Sequence, residues 1–201
     1  MRTYSRFARV LVVAVGLFCS ATLGATVTAK APLVCTRGPS GQTYAAVVTL
    51  PPSAPTGSTF TVRIDSLSSG VISHIGLNYI FDMTSDYPIP AGTSYVSGSA
   101  RVVPNTGTAN VRQGARVWHG TSGIHVALPG HVVNGTSFTP PSIEFAVTIT
   151  APAGSEVAIK FSHYQVTANA FIIGDVHTTC EPKPKPFTLA TVRVDPPASP
   201  P

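Results

Sequence analysis

The chain has 201 residues, 43% of them hydrophobic and only 10% charged, against roughly 25% charged in an ordinary soluble domain. Long exposed helices, coiled coils and charge-rich disorder all need Lys, Glu and Arg that this composition lacks, whereas 19 prolines and 17 glycines suit a protein of many turns. The net charge of +5 does not point to nucleic acid, because three of the 13 basic residues crowd the N-terminus and Arg37, Arg63, Arg101, Arg112, Arg116 and Arg193 are scattered.

Those first three, Arg2, Arg6 and Arg9, precede an apolar run from Val10 to Phe18 and the small residues Ser20, Ala21, Gly24 and Ala25. This is the pattern of a secretory signal peptide over residues 1–25. The run is too short to span a bilayer, and no later segment approaches roughly 18 uninterrupted apolar residues, so an exported chain without a membrane span is expected. Bulky Phe18 before Cys19 argues against a lipid anchor. Residues 26–34 carry no periodic signal and read as a flexible arm.

From Thr43 to Leu50 the first strand pattern appears. Alternation is cleanest over 59–65, where Phe60, Val62 and Ile64 alternate with Thr61, Arg63 and Asp65, giving one apolar face and one wet face. A longer strand is expected over 72–82, with Ile75, Leu77, Tyr79 and Phe81 inward and His74, Asn78 and Asp82 outward. Weaker patterns follow at 94–103, 114–119 and 123–128. Alternation returns at 142–150 through Ile143, Phe145, Val147 and Ile149, and at 157–162, where Lys160 lies between Ile159 and Phe161. Segments 164–168 and 170–176 complete the series before Cys180. Turn signals such as Pro51-Pro52, Asn105-Thr106-Gly107, Asn134-Gly135 and Pro152-Ala153-Gly154 separate these segments at short spacing. Residues 181–201 read as a Pro-rich tail, polyproline-like from Glu181 to Pro186, with 187–194 as an edge strand within it.

Many short strands in this rhythm predict an all-β protein with one sandwich domain over 35–180, a closed barrel being the alternative. Once the leader is removed two cysteines remain, Cys35 and Cys180, and export to an oxidising compartment predicts one long-range disulfide between them.

Pro90, Gly92, Tyr95, Val96, Gly98 and Ser99 spell P-x-G-x-x-Y-V-x-G-S. With Ile124 to Gly130 and Pro141 to Gly154, this stretch resembles the immunoglobulin-like conserved repeat domain of bacterial surface and cell-wall proteins, over roughly residues 58–162. The leader and the Ala/Val/Thr/Pro-rich style are also similar to small secreted actinobacterial proteins. The resemblance implies an immunoglobulin-like antiparallel β-sandwich with a structural or adhesive role and no catalytic residues.

Chemical motifs are sparse. His119, His125 and His131 fall six apart, but glycines and a proline interrupt the path between them, and neither H-x-H nor H-E-x-x-H occurs, so no metal or other cofactor is expected. There is no G-x-S-x-G elbow and no Ser-x-x-Lys pair, and Asp82 and Asp86 read as turn residues beside Tyr87. The expectation is a monomeric, secreted, non-catalytic interaction module with a cell-wall glycan or a protein as partner. A carrier holding a small apolar ligand between the sheets and a secreted hydrolase are the rivals. An unfilled apolar interior would favour the first rival, and convergent Ser, His and Asp side chains the second.

The most informative segment surrounds Gly120-Thr121-Ser122-Gly123. With those four residues as the loop, Trp118 faces His125 and Arg116 faces Ala127. Val117, Ile124, Val126 and Leu128 then share the core face, while Arg116, Trp118 and His125 share the outer one. These three are the candidate binding residues, because the single Trp beside a cation and an imidazole suits contact with a sugar ring or a protein.

Overall fold

The computed structural model describes residues 24–38 and 41–197. The expected leader, apart from Gly24 and Ala25, lies outside the described residues. In chain order these form β1 (Ala25–Cys35), β2 (Thr43–Leu50), β3 (Ser53–Pro55), β4 (Thr59–Ser66), β5 (Leu77–Tyr87), β6 (Thr93–Tyr95), β7 (Arg101–Val102), the short helix α1 (Ala109–Arg112), β8 (Arg116–Gly120), β9 (Gly123–Leu128), β10 (Val132–Val133), β11 (Ile143–Ile149), β12 (Glu156–Phe161), β13 (His163–Ala170), β14 (Gly174–Pro182) and β15 (Phe187–Asp195).

Alternation sets the faces. β4 buries Phe60, Val62 and Ile64, β11 buries Ile143, Phe145, Val147 and Ile149, and β12 buries Val157, Ile159 and Phe161. One layer runs β6–β11–β4–β2–β1, with β7 also on β11. At Pro32, which has no N–H to give, β1 leaves β2 and passes to β14, where the second layer begins: β14–β13–β5–β9–β8, with β10 also on β5. A three-stranded sheet, β12–β15–β3, continues from that layer through Ser162, whose N–H donates to the Asp86 carbonyl at 2.9 Å. Val48, Ile64 and Phe145 of the first layer, Met83, Ile124 and Val126 of the second, and Val157, Ile159 and Val192 of the third sheet meet in one core. The fold is an all-β, mainly antiparallel β-sandwich, with β15–β3 as a parallel pair. Cys35 lies opposite Cys180 in the β1–β14 ladder, and their disulfide spans 145 residues of sequence.

Several sequence expectations are corrected. Residues 26–34 are not a flexible arm but part of β1, paired with β2 from Ala25 opposite Leu50 to Pro32 opposite Thr43. Small side chains make the periodicity faint there, yet Ala29, Ala31 and Leu33 all point into the core. β15 is not an edge strand, since it lies between β12 and β3 with Leu189, Val192 and Val194 buried. Glu181 and Pro182 continue β14 instead of starting a polyproline run. The sandwich therefore reaches from Ala25 to Asp195.

β5 is displaced from its expected place. Its pairing with β13 takes one extra residue between Phe81 and Thr84, where Asp82 has φ 47°. Such a bulge inverts the faces on either side of it. Ile80 faces the core opposite Val132, while Tyr79 and Phe81 turn outward and enclose His131 at ring-centroid distances of 5.0 and 5.4 Å. Ile75 precedes the strand and is exposed, and Phe171, Ile172 and Ile173 form the exposed turn between β13 and β14, not a strand.

Tyr44, Tyr87 and Phe161 tie the three sheets together. Tyr44 stacks on Phe161 at 4.2 Å, Tyr87 tilts onto the same ring at 5.7 Å, and the Tyr44 hydroxyl lies 2.9 Å from that of Tyr87 and 3.1 Å from Ser66 Oγ. Burial pushes the Tyr87 phenol well above its ordinary 10.0, and the charge and hydrogen bond of Tyr44 push it further. Because the folded value exceeds the unfolded one, this contribution to stability is complete below pH 10.0 and is lost as pH climbs towards the folded value. Urea midpoints taken from about pH 8 to about pH 11 should therefore fall steeply for the native chain and less so for Tyr87→Phe. Equal slopes would count against the phenol as the source.

Candidate functional site

The β8–β9 hairpin is built by two glycines with separate tasks. Gly123 has φ 139°, and a Cβ there would stand 2.3 Å from the Tyr87 carbonyl oxygen, so only glycine lets the turn sit against the end of β5. A Cβ on Gly120 would stand 2.7 Å from His125 Nε2, so glycine leaves room for the imidazole to lie over the turn. The ladder pairs Arg116 with Ala127, Val117 with Val126, Trp118 with His125 and His119 with Ile124. This is the pairing expected from alternation, and Ile124, Val126 and Leu128 are buried beneath it.

Of the three candidate residues, Trp118 and His125 are brought together. The indole is 45% exposed and stacks on the imidazole at 5.4 Å with 23° between the rings. Arg116 shares that outer face and is exposed, and it has no ion pair among the described residues. On the other face of the hairpin His119 stacks on Tyr95 at 4.2 Å. With His131 between Tyr79 and Phe81, the three evenly spaced histidines occupy three separate places. Among the described residues no three His, Cys, Asp or Glu side chains are grouped as metal ligands would be.

Asp86 and Ser122 complete the surroundings of His125. β5 and β9 pair Asp86 with His125, and Asp86 Oδ1 lies 2.8 Å from His125 Nδ1. On the far side of the ring Ser122 Oγ lies 3.1 Å from Nε2. A neutral imidazole that donates its Nδ1 proton to the carboxylate presents Nε2 as an acceptor for the Ser122 hydroxyl. The second carboxylate oxygen, Asp86 Oδ2, lies 3.4 Å from His163 Nε2, and His163 Nδ1 lies 3.2 Å from Ser162 Oγ. Beside the hairpin is an open groove of about 600 Å³ lined by Pro88, Ile89, Tyr95, Ser97, His119 and Ser122. Sequence reading placed Asp86 in a turn because the strand was ended at Asp82, where the bulge breaks the alternation; it is instead a residue of β5 opposite His125.

The opposite end of β5 is different in kind. There an open cleft of about 540 Å³ lies between the β5–β13–β14 face and the connection before β5, with Val71, Ile72, Leu77, Ile80, Val166 and Val176 in its lining. A smaller space of about 160 Å³ shares Ile72, Ile80 and Val166 with it and reaches Met83 and Leu128. Arg37, Gln42, Ser69, His74 and Thr178 also line the larger cleft. Among the described residues no helix is long and apolar enough to cross a membrane.

No family model matches the chain, and no curated protein matches it. Among solved structures, the sixth cohesin of scaffoldin B from Acetivibrio cellulolyticus aligns with a TM-score of 0.34 at 14% identity, over 72% of this chain and 93% of that one. A cohesin module of a family 33 glycoside hydrolase from Clostridium perfringens aligns with a TM-score of 0.35 at 9% identity, over 88% of this chain and 99% of that one. A protein of Corynebacterium diphtheriae described as membrane anchored aligns with a TM-score of 0.45 at 15% identity, over 87% of this chain, which spans 38% of that protein.

Proposed function

We propose that the protein is an exported interaction module of the cell envelope or extracellular space, holding a sugar ring of a wall glycan on Trp118, with His125 and Arg116 beside it. The observation that carries this reading is the half-exposed indole stacked on an imidazole whose two nitrogens are both engaged, by Asp86 at 2.8 Å and Ser122 at 3.1 Å. A flat ring held in place offers its open face to the C–H surface of a sugar with little further loss of side-chain freedom, and Arg116 supplies donors for hydroxyl or carboxylate oxygens. The disulfide suits an oxidising compartment.

Trp118→Ala should cost well under the roughly 3 to 5 kcal/mol of a fully buried Trp. Retention on a cell-wall polysaccharide column should fall about tenfold or more, as expected for loss of a central aromatic anchor. Fluorescence from this single Trp reads the site directly: iodide should quench it in the free protein, and added glycan should protect it. Unchanged retention, or quenching indifferent to glycan, overturns the reading.

The apolar cleft at the other end favours a second reading, carriage of a small apolar ligand between the sheets. Val166→Trp, which fills the cleft, should abolish the fluorescence gain of an apolar reporter dye. Trp118→Ala should leave that gain intact, and the reverse pattern would exclude the cleft as the binding place.

A further inference from the structure

The row Asp86, His125, Ser122, which steadies the imidazole under Trp118, also has an order and spacing suited to chemistry at the hydroxyl. The carboxylate is 2.8 Å from one imidazole nitrogen and the hydroxyl 3.1 Å from the other, within the reach of a general base for its nucleophile. The surroundings hold this row in place. Gly120 leaves room where a Cβ would meet Nε2 at 2.7 Å, Gly123 fits the turn against Tyr87, Trp118 covers one face of the imidazole, and His163 stands 3.4 Å from the second carboxylate oxygen. Ser122 also lines the groove of about 600 Å³, in which Pro88, Ile89 and Tyr95 offer apolar walls.

From this geometry we propose that Ser122 is a nucleophile for acyl transfer from small carboxylic esters, with His125 as its base and Asp86 as the group that orients the base. Such a site is recognised by geometry and not by sequence position, so the absence of a G-x-S-x-G elbow does not bear on it. Ser122 Oγ attacks the ester carbonyl carbon while its proton passes to His125 Nε2. The tetrahedral intermediate collapses with cleavage of the bond to the alkoxy oxygen, which takes the proton from Nε2 and leaves as the alcohol. Water then attacks the acyl-Ser122 ester by the same route, releasing a carboxylic acid and restoring the hydroxyl. Throughout, Asp86 accepts the Nδ1 hydrogen bond and stabilises the imidazolium. The acyl group lies in the groove beside Ile89 and Tyr95.

The test uses the full mature chain with a fluorophosphonate, from which a nucleophilic serine displaces fluoride, and with p-nitrophenyl acetate as substrate. One probe per chain is expected, with the mass gain mapped to the Ser122 peptide and absent in Ser122→Ala. Asp86→Asn, which favours the wrong imidazole tautomer, should slow both labelling and ester hydrolysis by about a thousandfold or more. Gly120→Ala alters no group in the row but displaces Nε2, and should lower the labelling rate with the circular dichroism spectrum unchanged. No label on Ser122 in the native chain overturns the proposal. Labelling there at the same rate in Asp86→Asn and Gly120→Ala overturns it as well, since it would mark Ser122 as an exposed hydroxyl only.

Discussion

Reducing the Cys35–Cys180 disulfide, or replacing both residues by Ala, should lower the free energy of unfolding by about 4 to 5 kcal/mol. The bridge spans 145 residues, so in the unfolded chain it removes most of the freedom of the region that makes the core. In the folded chain it joins β1 to β14 where the ladder between them is only three pairs long, Leu33 to Cys35 against Pro182 to Cys180. That short ladder is also where β1 crosses between layers, so little else resists separation of the two strands. Urea unfolding with and without reductant checks the prediction, and the denaturant slope should rise on reduction because the released chain exposes more surface. A loss under about 1 kcal/mol would show that the native packing, not the cross-link, holds the two strands together.

Phe161→Ala should cost about 3 to 5 kcal/mol, nearly as much. Phe161 is fully buried at the end of β12, where the chain passes into β13, with Tyr44 stacked on its ring and Tyr87 tilted against it. Truncation removes the transfer free energy of the ring and leaves a cavity that two tyrosines joined by a hydrogen bond cannot readily fill. Lys160→Ala, one residue away on the opposite face, should stay within about 0.5 kcal/mol in the same urea series. Comparable losses for the two variants would mean that β12 fails as a strand instead of losing a packing contact.

What could be read from the sequence follows from how strongly each residue declares its face. β4, β11 and β12 alternate large aliphatics or aromatics with polar residues, and their buried sets are those the pattern predicts. The β8–β9 hairpin was legible because Gly120 and Gly123 mark its loop: expected as four residues, it is the two-residue turn Thr121-Ser122 with Gly120 paired to Gly123, and the register that sets Trp118 opposite His125 is the same. β1 was not, because alanines and threonines bury too little area to stand out from a polar segment. Phe171, Ile172 and Ile173 misled in the opposite sense: three large apolar residues read as part of a strand, yet they form an exposed turn closed by Gly174 at φ 73°. Asp86 lies 39 residues from His125, and nothing local announces a pairing that arises only when β5 and β9 meet beyond a bulge.

The position of the cross-link also decides how the molecule responds to tension. A pull applied at Ala25 and Asp195 reaches the interior through Cys35 and Cys180, which lie near the ends of the sandwich. Force can peel β1 from β2 and β15 from its neighbours, but it then passes through the covalent bridge and bypasses the 145 residues of sequence it spans. At about 3.3 to 3.6 Å per residue, roughly 500 Å of chain is withheld from extension. Under tension the hairpin bearing Trp118 therefore lies within the part of the chain that the bridge bypasses, whereas the cleft borders the load path itself, since Cys35 and Cys180 line it.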